Sequence, residues 1–379
     1  MSRLPKVIIA SSAAVASIVA SLGLSSVAQA SSERRLQGQV IATGLNNPRG
    51  IALGEGNTPV LYVTEAGLGS GNSVDGVQLG VGPTGSITSI SRPGSSHPSA
   101  SRIVSGLASS AAIEGGSLEA LGPDGISAWG RGSKSGYVAI IGAAGEPGLG
   151  ELVTATGTHA PVTIADVGAA GLAWSAQYVG ESWASPQFPD SDPYGVLVTK
   201  GHTYVVDAAT NTLDEVLASG DVNVLAHFPH TEYSDSVPTC VAQGPDGALY
   251  VGTLALADFF VAGPGTAKVY RVDPKATVPN DISTILSVAT VWATGFSTIT
   301  GCTFDKRGNF YAVEMFTGDV VKVPFAHPAS GRSVIGSGQL DLPNGVAVDE
   351  EGTVYVSNMS DSTLAGTGSI VRFRSRGDH

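Results

Sequence analysis

Short apolar strands recur along this chain in a fixed grammar: a glycine or small residue opens one strand, a Gly-rich turn follows, and a second strand answers with an aromatic residue. The clearest copies are PRGIALGEGNTPVLYVTEA from Pro48, PTCVAQGPDGALYVGTL from Pro238, ITGCTFDKRGNFYAVEM from Ile299 and PNGVAVDEEGTVYVSNM from Pro343. Two weaker copies, PDGISAWGRGSKSGYVAII from Pro123 and PYGVLVTKGHTYVVDAA from Pro193, bring the count to six. Alternating or β-branched stretches predict a third strand in each copy, from Gly85 to Ile90, Gly150 to Thr154, Leu213 to Leu217, Ala267 to Val272, Asp319 to Val323 and Ser369 to Phe373. Fourth strands are expected at Ile103 to Gly106, Val162 to Ala165, Val224 to Phe228, Val291 to Gly295 and Val334 to Gly338. The sixth copy has none. A matching strand, Val40-Ile41-Ala42-Thr43, instead precedes the first copy.

That displaced strand predicts an all-β, six-bladed β-propeller closed by the N-terminal strand, because a ring completed in this way leaves no open sheet edge. A linear solenoid would need polar caps at both ends and gives no role to a permuted strand. The repeats, starting near 48, 123, 193, 238, 299 and 343, are read as one propeller domain spanning 31–379. Residues 1–30 are read as a signal peptide: Arg3 and Lys6, an apolar run from Val7 to Leu24, then Ala28-Gln29-Ala30 as a small-residue cleavage site. The expected location is therefore secreted, periplasmic or extracellular, with no membrane span after cleavage.

Composition fits this picture. Charged residues make up 14% while there are 50 Gly and 21 Pro, which suits short strands and tight turns. A net charge of −12 with scattered Lys and Arg offers no footprint for a phosphate backbone, so no nucleic acid is expected as a partner. There are only two cysteines, Cys240 and Cys302. Aligned on the turn glycines, they differ in strand parity, so they face opposite sides of neighbouring blades. An inter-blade disulfide and two separate buried thiols both fit.

If the strands run outward from the axis, most long connections leave one face: Ala66 to Thr84, Leu107 to Gly122, Val167 to Asp192, Leu254 to Thr266 and Ser360 to Gly368. Loops on a rigid scaffold are where binding groups collect. The residues before each strand opening, Arg49, Asp124, Tyr194, Thr239, Thr300 and Asn344, point to this face near the axis. The ends of the second strands add Glu65, Asp207, Glu314 and Asn358. The ligand-binding candidates are thus Arg49, Glu65, Asp124, Tyr194, Asp207, Glu314, Asn344 and Asn358. If a metal binds, Ca²⁺ held by Glu65, Asp207, Glu314 and Asn344 suits such an oxygen-rich set. The plainer reading has Arg49 neutralising Glu65 and Glu314 while the others cap loop backbone. Trp174, Tyr178, Trp183, Phe188 and Tyr194, in one long loop from Gly171 to Tyr194, form either a recognition patch or a self-burying plug. His227 and His230, near Glu232 and Asp235, are a candidate general base or ligand pair, against the reading that they are solvated turn residues.

Nucleophile-elbow, His-Glu-x-x-His, Walker and dinucleotide motifs are missing, so no catalytic residue is assigned from motifs. The stretches GLNNPRGIAL, DPYG…YVVDAATNTL from Asp192 to Leu213, VPTCVAQGPDGALYVG and GTAKVYRV with ATGF at Ala293 resemble the secreted ScyD/ScyE family, named for accessory proteins of a cyanobacterial pigment cluster. The resemblance implies an NHL-like propeller outside the cytoplasm and brings no catalytic residues with it. The function expected first is a non-catalytic secreted binding or accessory module, holding a small molecule, glycan or protein on the long-loop face. The alternative is a Ca-dependent hydrolase or lactonase of the six-bladed type. A quinone-dependent dehydrogenase would want a His at the channel mouth and clustered basic groups, which the sequence does not supply.

Overall fold

Six antiparallel sheets surround one axis in the computed structural model, which describes residues 36–374 apart from 55–58, 71–72, 75–76, 79, 115–116, 131–134, 158 and 362–364. The segment read as a signal peptide lies outside the described residues. From the axis outward, blade 2 runs Pro123–Trp129, Gly136–Ile141, Glu151–Thr156 and Val162–Asp166, and blade 3 runs Pro193–Thr199, His202–Asp207, Thr212–Val216 and Val222–His227. Blades 4 and 5 repeat the order from Pro238 to Phe296 and from Ile299 to Ile335. Blade 1 follows Pro48–Gly54, Val60–Glu65, Gly80–Ser91 and Ser99–Glu114 with a fifth strand, Ser117–Leu121. Much of what the sequence suggested as loop between Ala66 and Gly122 is therefore strand.

The ring closes as the displaced strand requires. In blade 6, Gly38–Leu45 pairs antiparallel with Gly368–Phe373, Val40 opposite Val371 and Thr43 opposite Ser369. Ala42, Leu45, Ile51, Leu61, Ile90 and Ile370 form one buried cluster across the seam between blades 6 and 1. Each fully buried aliphatic side chain stabilises the fold by about 1.5–3 kcal/mol. The seam is thus an apolar blade contact like the others, and the strands Gly38–Leu45 and Gly368–Phe373 are held by a real core.

The inner strands approach so closely that their openings admit almost no side chain. A Cβ on Gly345 would lie 2.5 Å from the carbonyl oxygen of Arg49, and one on Gly301 would lie 2.3 Å from that of Asn344. Gly50, Gly125 and Gly195 make the same approach to the next blade. Blade 4 departs from this rule with Cys240, whose sulfur is bonded to Cys302 of blade 5. The disulfide reading, with its opposite strand parity, is the one the structure adopts. Hydroxyls also bind one blade to the next: Thr64 Oγ1 donates to Asp124 O at 2.5 Å, Thr300 Oγ1 to Asn344 O at 3.1 Å and Ser357 Oγ to Arg49 O at 2.6 Å. Among the described residues, no helix is long and apolar enough to cross a membrane.

Candidate functional site

The axial channel is walled by the first residues of the inner strands, including Asp124, Tyr194, Thr239, Thr300 and Asn344, and encloses about 70 Å³. At the mouth, Arg49 Nε stands 3.6 Å from Asp124 Oδ1, and both side chains are buried. Arg49 also donates to Ala120 O at 2.7 Å and lies 4.0 Å from Asp361. Burial raises the Asp361 carboxyl, and the nearby Arg49 opposes that rise. From the opposite side of the ring, Asn344 Nδ2 donates to the Tyr194 hydroxyl at 2.6 Å. Burial pushes the Tyr194 phenol up to about 12, so it keeps its proton at neutral pH. Four of the eight candidate residues therefore meet at this mouth as the repeat alignment placed them.

The other four do not join them. Glu65 accepts Asn46 N–H at 2.8 Å and Thr88 Oγ1–H at 2.7 Å, and it holds Arg102 Nη2 at 2.5 Å. Asp207 accepts the backbone N–H groups of Asp192, Ala209 and Thr210 at 2.9–3.0 Å and the Ser191 hydroxyl at 2.5 Å. Its carboxyl is raised by burial, with these hydrogen bonds pulling it back down. Glu314 accepts Ser297 N–H and Thr317 Oγ1–H, both at 2.9 Å, and Asn358 Oδ1 accepts Asp341 N–H at 2.7 Å. In each case the end of a second strand caps the loop entering its own blade's first strand. Arg49 consequently neutralises neither Glu65 nor Glu314; Arg102 serves Glu65.

This capping decides the metal question for these residues. A Ca²⁺ ion needs carboxylate oxygens free to turn toward it, whereas Glu65, Asp207 and Glu314 are saturated by donors of their own blades. Glu65, Asp207, Glu314 and Asn344 do not fit as a metal-binding set. Among the described residues, no group of three or more His, Cys, Asp or Glu could hold a metal ion.

A second polar group lies in the loops of blade 3. The chain from Val167 to Ser175 is helical, capped by Asp166, and Trp174, Phe188 and half-buried Trp183 and Tyr178 pack together against Val224 and Ile285. These rings bury one another more than they display themselves. His227 is buried beside Trp183, ring centroids 5.0 Å apart, and is no solvated turn residue. Burial, aided by the charge of His230, lowers its imidazole to about 3. His230 Nδ1 stands 2.6 Å from Asp235 Oδ1. In the long connection from Leu254 to Thr266 a short helix, Leu256–Ala262, brings Phe259 and Phe260 against Phe316 at a partly exposed aromatic patch.

Comparison with known proteins gives this architecture a lineage. The model of the SMP-30/gluconolactonase/LRE-like region matches residues 168–379, more than half of the chain. The chain belongs to the SMP-30/gluconolactonase/LRE-like family. No curated protein matches it in sequence. Its fold is similar to that of a luciferin-regenerating enzyme (TM-score 0.51, 13% identity, covering 90% of this chain and 96% of that one). It is also similar to a gluconolactonase from Xanthomonas campestris (TM-score 0.52, 9% identity, 89% and 90% covered). A third similar fold is that of a Thermus thermophilus protein described as an oxidoreductase of glucose dehydrogenase type (TM-score 0.50, 14% identity, 89% and 100% covered). These likenesses establish the fold. Membership of the SMP-30/gluconolactonase/LRE-like family overturns the expected non-catalytic binding module, because the family is one of enzymes such as gluconolactonase. The sequence pointed elsewhere because it contains no short catalytic motif.

Proposed function

We propose that the chain hydrolyses lactones or related esters at the mouth of the axial channel. The observation that carries this reading is the meeting of Arg49, Asp124, Tyr194 and Asn344 there, contributed by four different blades. At about 70 Å³ the channel has room for a short file of waters, since one water needs about 10–15 Å³. It is far below the roughly 300–1,000 Å³ of a ligand pocket, so the substrate sits above it on the loop face. Asp124 takes a proton from a water as its oxygen bonds to the ester carbonyl carbon. Tyr194, whose oxygen already accepts from Asn344, turns its own O–H toward the developing oxyanion. The ring C–O bond then breaks, and the leaving alkoxide takes the proton from Asp124. Arg49 fixes the Asp124 carboxylate and adds positive charge beside the oxyanion.

Titration of acid released from gluconolactone and from a neutral aryl ester tests this. Asp124→Asn is expected to lower kcat by about 100-fold or more, the usual worth of a positioned base, and Tyr194→Phe by about tenfold or more. Undiminished turnover in folded Asp124→Asn would sink the assignment, and a wild-type protein inert toward the whole panel would sink the activity.

The reading includes export and, within the family, kinship with the ScyD/ScyE type. The leader-like segment 1–30 supports the first, together with the Cys240–Cys302 disulfide, which persists in oxidising compartments. The DPYG…YVVDAATNTL motif supports the second. Finding the mature chain in the medium or periplasm, starting at Ser31, is the expected outcome.

A further inference from the structure

Tyr233, Phe260 and Phe316 are the exposed aromatic side chains among the described residues, at 47%, 44% and 42% exposure, and all three stand in adjoining loops around blades 4 and 5. In the helix Leu256–Ala262, Phe259 stacks on Phe316 with ring centroids 5.6 Å apart, and Phe260 meets Phe316 edge-on at 5.4 Å. Tyr233 belongs to the loop whose Thr231 hydroxyl donates to Asp258 of that helix. The rings have fixed supports: Leu254 N–H donates to Val237 O at 2.8 Å, and Phe316 N–H donates to Thr298 Oγ1 at 3.2 Å. Val237 and Thr298 each come two residues before a wall residue of the axial channel, Thr239 and Thr300. Each support therefore starts within about 7 Å of that wall along the chain.

The mouth is unequal around its circumference. Arg49, Asp124, Tyr194 and Asn344 bring charge and polar groups from blades 1, 2, 3 and 6. Blades 4 and 5 bring only hydroxyls that already donate to the next blade, Thr239 Oγ1 to Ile299 O at 2.6 Å and Thr300 Oγ1 to Asn344 O at 3.1 Å. We propose that the substrate is an uncharged ester or lactone bearing an apolar ring or chain, its carbonyl at the polar side of the mouth and its apolar group over Phe260 and Phe316. This rests on the hydrolytic reading of the mouth and names the substrate class that the mouth takes. Three rings exposed to this extent offer on the order of 300 Å², the size of a patch that is often functional on a monomer. That is far short of the roughly 800 Å² per partner of a stable protein interface, whereas one small apolar group covers it. Glu232 beside Tyr233 and the net charge of −12 repel a carboxylated chain or an anionic lipid surface. A polyhydroxylated lactone gains little there, because Phe260 and Phe316 offer its hydroxyls no hydrogen bond.

Hydrolysis of δ-decalactone and of δ-valerolactone, which share the reacting ring and differ by an alkyl chain, tests this by acid titration. Wild type is expected to show a kcat/KM about tenfold or more higher for δ-decalactone, within the reach of a few methylenes on an apolar surface. Phe260→Ser with Phe316→Ser should remove most of this preference, mainly by raising KM for δ-decalactone. Val334→Ser, at an exposed apolar position on the outer strand of blade 5, should keep it. Equal kcat/KM for the two lactones, turnover of gluconolactone alone, or a preference that survives the double variant overturns the proposal while hydrolysis at the mouth stands. Turnover of none of the three lactones by folded wild type overturns both. A concentration-dependent dimer in sedimentation that the double variant abolishes assigns the patch to a second copy of the chain and also overturns the proposal. Should the double variant fail to fold, Phe260→Ser alone is expected to raise KM for δ-decalactone about threefold, half the effect in free energy, and an unchanged KM overturns the proposal.

Discussion

Gly345 shows how much of the ring rests on single residues. With its position 2.5 Å from Arg49 O, a methyl group there must push blade 6 from blade 1. Gly345→Ala is expected to lower stability by about 1–3 kcal/mol, the range for overpacking, and to shift Arg49 at the mouth. Chemical denaturation and the activity assay read the two effects separately. His227 makes a pH-dependent contribution of known sign. Its folded value of about 3 lies below the ordinary imidazole value, so between roughly pH 6.5 and 3 the unfolded chain binds the extra proton. Its stabilisation is therefore full above this window and is lost as the pH falls through it. Asp190, raised by burial to about 6, titrates with the opposite sign over part of the same range. Comparing wild type with His227→Phe isolates the histidine: the variant should lose less Tm between pH 7 and 4. Equal slopes would mean that His227 is hydrated.

Among the elements, the legible ones were those whose job repeats. The first-strand openings keep the same glycine approach in every blade but blade 4, so Arg49, Asp124, Tyr194 and Asn344 could be placed at one mouth from alignment alone. The second-strand ends repeat just as faithfully, yet their role is the reverse of what their charge suggested. Glu65, Asp207 and Glu314 look like ligands in sequence because acidic oxygens look alike whether they face an ion or a loop amide. Only the partners Asn46, Asp192 and Ser297 reveal the difference. The burial of His227 among Trp174 and Trp183 was illegible for another reason, since no sequence pattern says which loop folds over a strand end. The saturated carboxylates carry an expectation of their own: adding chelator to protein purified without it should leave Tm unchanged. A chelator-sensitive melt would show that an ion reaches these oxygens after all.

At the scale of the whole ring, two devices hold the circle shut at different places. The Cys240–Cys302 bond joins blades 4 and 5 across a separation of 62 residues. Loops of this size are worth about 2–4 kcal/mol when closed, so reduction should lower Tm by several degrees without dispersing the sheet signal in circular dichroism. The second device is the strand Gly38–Leu45 in blade 6. Truncation to residue 46 should leave Gly368–Phe373 as an open edge and produce a chain that aggregates on light scattering. That pairing also sets an order of events in time. The strand Gly38–Leu45 cannot find its place until its partner strand, some 320 residues later, has been made. Until then blade 6 has no outer strand and the ring cannot close.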